Sequence, residues 1–158
     1  MSRDIVNHLE REFAGLINSL KNLVGSVPCD LLYHTPPSVS FGENILRSAA
    51  VIEQTCGGLT ANLWDDPFEW TLPETLSTAD RIVEYLSEVD VARQRAFASI
   101  VDDSALTKYI AVPSGEPMLL VSLLVETLVT ASDYRGRAVA TSKILLATAL
   151  QGLLSSPT

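Results

Sequence analysis

Over four long stretches of this chain apolar residues recur at steps of three and four, and Pro or Gly residues break the pattern between them. That rhythm constrains the fold most, because such steps line one face of an α-helix. In the first stretch, about Arg3 to Val24, the stripe is Ile5, Leu9, Phe13, Leu16, Leu20 and Leu23, with Glu10, Arg11, Asn18 and Lys21 left for water. Gly25 closes this helix and Pro28 prevents its resumption. A loop with Pro36-Pro37 follows, and Ser40-Phe41-Gly42-Glu43 has the form of a capping box. It opens a second helix to about Leu63, with Phe41, Ile45, Ser48, Ile52, Cys56 (or Thr55), Leu59 and Leu63 on one face. Gly57-Gly58 weakens that helix late.

The stretch from Trp64 to Leu76 holds Pro67, Pro73 and both tryptophans and reads as a connection over the surface. Ser77 or Thr78 then opens a third helix to about Val101, striped by Ile82, Leu86, Val89, Ala96 and Ile100. Pro117 suits the first turn of a fourth, where its missing N–H costs nothing. From Met118 to Val129 this stretch is apolar almost all round, so it is expected to be covered on several sides. It runs on to Leu154, with Gly136 marking either a break or a close backbone approach. No segment alternates with period two, so no sheet is expected. Helices of ~22 residues are ~33 Å long, and striped helices of that length pack as an antiparallel four-helix bundle. The connections are long enough for crossovers.

Composition narrows the function classes. A chain of 158 residues that is 47% hydrophobic has material for one domain with a real core, here taken as residues 1–158. Its net charge of −8 argues against nucleic acid, whose binding draws on clustered basic residues, and against an anionic membrane surface. The residues Met1 to His8 mix charged and apolar side chains and do not read as a signal peptide. Glu126 interrupts the apolar run Met118–Ala131, and Lys143 and Gln151 interrupt Ala138–Leu154. Neither run therefore reaches the ~18–20 apolar residues of a bilayer span. Cys29 and Cys56 form no Cys-x-x-Cys unit and read as two buried free thiols of a cytoplasmic protein.

Two patches carry a resemblance. Leu31 to Arg47 runs through a Pro-bearing loop into Ser40-Phe41-Gly42-Glu43, and Thr130-Ala131-Ser132-Asp133-Tyr134-Arg135-Gly136-Arg137 lies two helices later. In this order and separation they resemble the DinB-like (YfiT-like) family of bacterial four-helix bundles. The resemblance implies a bundle core holding a divalent ion on three histidines, used by some members for thiol-dependent transfer or isomerisation. Two imidazoles at i and i+4 and a third from a neighbouring helix make a ligand set with open positions. Against that pattern, Arg47 stands where the first histidine falls, and Thr130 and Tyr134 stand where the pair falls. Arginine has no lone pair for a metal, and threonine and neutral tyrosine are poor ligands. The only histidines are His8 and His34, so the expectation is no metal and no cofactor.

Arg47, Thr130, Tyr134 and His34 are the candidate pocket residues. Arg47 either pairs with Glu53, Glu126 or Asp133 inside the bundle, or offers its fixed charge to a small anionic ligand. Tyr134 beside Arg47 is the only arrangement suggesting an acid catalyst. No nucleophile elbow or phosphate loop occurs. The reading is a non-catalytic binding or structural module, with a metal-independent enzyme using Arg47 and Tyr134 as the alternative. Surplus apolar faces in Ile144–Leu154 point to a homodimer, the alternative being that this segment caps the bundle end inside its own chain.

Overall fold

The computed structural model describes residues 1–34, 39–69 and 73–156. Pro36-Pro37 and Trp70 lie outside the described residues. The chain is all-α in character, with α1 (Asp4–Val24), α2 (Phe41–Ala61), α3 (Ala79–Ala98) and α4 (Leu120–Ser155). Short 3-10 turns occupy Cys29–Leu31, Pro67–Glu69 and Asp103–Thr107.

The four helices pack in the cyclic order α1–α3–α2–α4, with the seam between α2 and α4 the most extensive and that between α4 and α1 thin. Segments 25–40 and 99–119 therefore join helices that sit diagonally, while α2 and α3 are neighbours. Phe13 of α1 meets Phe97 of α3 with ring centroids 5.3 Å apart at a tilt of 60°. Ile45, Ile52, Leu86 and Leu124 fill the space between the helices and are almost wholly buried.

Local chemistry sets the helix ends. Ser40 and Glu43 form the expected capping box at the start of α2. The left-handed Asn62 (φ 54°) ends α2 at Ala61, two residues earlier than the stripe suggests, its N–H satisfying the Gly57 and Gly58 carbonyls. Thr78 accepts from the Arg81 N–H and caps α3. Asp103 accepts from the Ile5 and Val6 N–H groups and so caps α1 from the turn that follows α3. Arg3 returns the contact by donating to the Phe97 and Ile100 carbonyls at the end of α3.

Three expectations need correction. On α1 the buried face is Val6, Leu9, Phe13, Leu16, Ile17, Leu20 and Val24, while Ile5 is exposed, because contacts from α3 and α4 widen and turn the buried arc. A sheet does exist: β1 (Tyr109–Ile110) and β2 (Met118–Leu119) pair antiparallel, with Tyr109 opposite Leu119 and Ile110 opposite Met118. Pro117 thus precedes a strand, not a helix, and the Leu120 N–H donates to the Lys108 carbonyl as α4 begins. Finally, α4 is one continuous helix of 36 residues through Gly136, and its early turns are not covered all round. Val125 and Val129 face outward, 44% and 63% exposed. Joined in this way, α4 is long and apolar enough to cross a bilayer by length and composition, unlike its two halves read separately.

Candidate functional site

Polar side chains in otherwise apolar stripes gather on the seam between α2 and α4. Ser48 donates to the Ala131 carbonyl at 2.6 Å, and the Thr55 and Thr127 hydroxyls lie 2.6 Å apart. Thr127 also reaches the Leu123 carbonyl of its own helix at 2.8 Å. Each buried hydroxyl is satisfied, as a dry interface requires. These bonds fix the register of the two helices.

Beyond that seam a groove of about 430 Å³ opens between α2, α4 and the loop leading into β2. Val51, Trp64, Val112, Pro113, Met118 and Leu123 give it apolar walls. Gln54, Thr130 and Glu126 line it as well, and Glu126 is the one ionisable side chain there among the described residues. Trp64 is held there from behind. Its indole lies against Gly58, where any Cβ would collide with the ring, and Gln54 donates to the Trp64 carbonyl at 2.7 Å. The volume falls in the range of small-molecule sites, and the chemistry of the walls suits a largely apolar ligand.

The Ser48–Ala131 bond puts Arg47 and residues 130–134 at one level of the seam, but their side chains diverge. Arg47 stacks on the Phe68 ring, 4.0 Å from its centroid. Thr130 is exposed and lines the groove; Arg47, Tyr134 and His34 do not. Tyr134 is half-buried, with the Arg137 guanidinium 5.3 Å above its ring. His34 is exposed in the loop before α2, its N–H bonded to the Leu31 carbonyl. The carboxylates expected for Arg47 have other partners: Asp133 pairs with Arg137 at 2.7 Å, and Glu53 accepts from Tyr85 at 2.6 Å. Glu126 faces the groove.

The groups with displaced pKa values are structural in kind. Burial, then the charge and hydrogen bond of Glu53, hold the Tyr85 phenol far above its usual range, so it remains a neutral donor. Of the two cysteines expected to be buried only Cys56 is; Cys29 is exposed because it sits in the short turn after α1, outside the helix packing. Burial pushes the Cys56 thiol up to about 12, which leaves it without thiolate character at neutral pH. Tyr33, which donates to the Leu76 carbonyl, is likewise raised to about 12 by burial and then by Glu43 and Glu74. Between α1 and α3, burial opposes ionisation of Asp90, but the hydrogen bond and charge of Arg93 outweigh it and hold the carboxyl below its ordinary value. Arg93, 8% exposed, also reaches Glu10 at 3.4 Å, so this buried cation is paired on two sides. Among the described residues, no three His, Cys, Asp or Glu side chains are grouped so as to hold a metal.

The Thr55–Thr127 pair and the Glu53–Tyr85 bond escaped the sequence reading. The available signal was a polar residue repeating within an apolar stripe, which periodicity alone does not pair across helices. Compared with models of known protein families and with curated proteins, the chain matches none.

Proposed function

We propose that this chain is a cytoplasmic, non-catalytic interaction module, a DinB-like bundle with its metal ligands replaced, that forms a homodimer through the distal turns of α4. The observation that carries the proposal is the length and surface of that helix. At 1.5 Å per residue α4 is ~54 Å long, against ~32 Å for α1 or α2. Its last buried side chain is Leu145. Beyond it Leu146, Leu150, Leu153 and Leu154 are 43%, 59%, 76% and 80% exposed.

Leu146, Leu150 and Leu153 are spaced by four and three, the seam spacing of paired helices. No charged residue occurs from Ile144 to Ser156, although the chain as a whole carries −8. Two copies can therefore meet here without bringing their acidic surfaces together. Each leucine covered would contribute ~1.5–3 kcal/mol. Arg47 stacked on Phe68 and Tyr134 under Arg137 supply no shared cavity for an acid–base step, so the binding reading is preferred to the enzyme.

Sedimentation equilibrium tests the proposal. The wild-type chain is expected to dimerise with concentration, and Leu150→Glu with Leu153→Glu to remain monomeric at unchanged helicity. A wild-type monomer at all concentrations, or a dimer in the double variant, would overturn it. Vesicle flotation in parallel separates the other occupant: a monomer that floats with neutral lipid vesicles through these leucines makes the turns a membrane anchor instead.

A further inference from the structure

The α1 side of α4 carries a second concavity, built of quite different groups. A cleft of about 320 Å³ lies over the thin contact between these helices, lined by Arg11, Glu12, Gly15, Leu16, Ser19, Leu128, Ser132 and Arg135. Arg135 donates from Nη1 to Ser19 Oγ at 2.8 Å. Its Nε is buried and, among the described residues, has no acceptor. A guanidinium offers five donors in a rigid fork, and a buried donor left unmet is costly. Arg3, Arg93 and Arg137 all pair with carboxylates, whereas no carboxylate among the described residues lies within ion-pair distance of Arg11 or Arg135. The one acid in the lining, Glu12, is 3.8 Å from His8 on the exposed face of α1.

The cleft owes its opening to a small residue. Gly15 sits in the middle of α1, where glycine weakens a helix, and a Cβ there would meet nothing within 4 Å. Any larger side chain would stand in the space that Arg11 and Arg135 border. Leu16 and Leu128 supply apolar surface beside the two cations and two hydroxyls.

We propose that this cleft binds a small phosphate-bearing molecule, its phosphate held by Arg135 and Arg11 with help from Ser132, and its carbon portion against Leu16 and Leu128. A phosphate is preferred to a carboxylate on donor count. Two guanidinium forks and a hydroxyl exceed what two planar oxygens accept, whereas a phosphate presents three or four oxygens to them. The site differs from the Arg47 position expected of an anion, where the guanidinium is occupied by Phe68.

Calorimetric titration of the full chain with inorganic phosphate, at ionic strength matched with chloride, tests this. Saturable binding is expected. Arg135→Gln should weaken it by about tenfold or more, the scale of a lost charge-assisted hydrogen bond. Arg135→Lys should lose nearly as much, since an ammonium cannot fork. Gly15→Leu fills the cleft, keeps both cations and favours the helix, so it decides the matter even where the Arg135 variants fold poorly; it should also bind about tenfold more weakly. Arg47→Gln should bind as wild type. Unsaturable heats, equal binding of chloride, or wild-type affinity in Gly15→Leu would overturn the proposal, and acetate binding as tightly as phosphate would overturn the choice of phosphate.

Discussion

Helices α1 and α4 are both rich in apolar residues, yet one spends them inside the chain and the other leaves them outside. On α1 nearly every large apolar side chain is buried against α3 and α4, and the polar face is wet. On α4 the buried apolar residues, Leu120, Leu123, Leu124, Ala131, Ala138 and Leu145, account for only part of the apolar surface. Val129, Ile144, Leu150, Leu153 and Leu154 remain exposed. The two differ in whether folding alone explains the sequence. For α1 it does. For α4 the excess implies a surface to be covered by something else.

Substitutions should separate the two regions by the size of their effect on stability. Phe13→Ala removes a buried ring packed on Phe97 and is expected to cost ~3–5 kcal/mol in denaturant unfolding. Asp90→Ala strips one partner from the buried Arg93 and should cost about 1.5–3 kcal/mol by the same measurement. Because Asp90 is held below its ordinary value, the unfolded chain binds more protons as acid is added. The contribution of the pair is complete above the unfolded value of ~3.9 and fades as pH falls through the folded one. The acid limb of a stability–pH curve should flatten in Asp90→Ala.

Alkali probes the same interior from the other side. The Cys56 thiol rises from 9.0 to about 12 on folding, so its contribution is complete below pH 9 and declines as pH climbs toward 12. Cys56→Ala should lessen the loss of stability over that interval. At the distal end of α4, Leu150→Ala should change monomer stability by no more than ~0.5 kcal/mol, since the side chain touches little within its own chain. A large loss there would erase the contrast between the helices.

Most of the helical architecture was legible because stripes and caps are local. The Ser40/Glu43 box and the end of α1 at Val24 follow from a few adjacent residues. What escaped the sequence depends on residues far apart in it. The β1–β2 ladder is two residues on each side and has no period to detect. Ile5 points outward because Val6 is drawn in by packing that lies on other helices. Asp103 caps a helix that begins about 100 residues earlier in the chain, a pairing that no local pattern announces. The site was harder still. Arg47 was legible as a charge needing a partner, but a stack on Phe68 is a contact between distant segments. The cleft beside Arg135 needed Gly15, an unremarkable residue until α4 is laid across it.

Hydrogen exchange of the backbone amides in residues 146–155, followed at high and at low protein concentration, asks the central question directly. Coverage by a second copy predicts that protection in these turns grows with concentration, while α1 amides exchange at the same rate in both samples. Protection in 146–155 that does not change with concentration would contradict it.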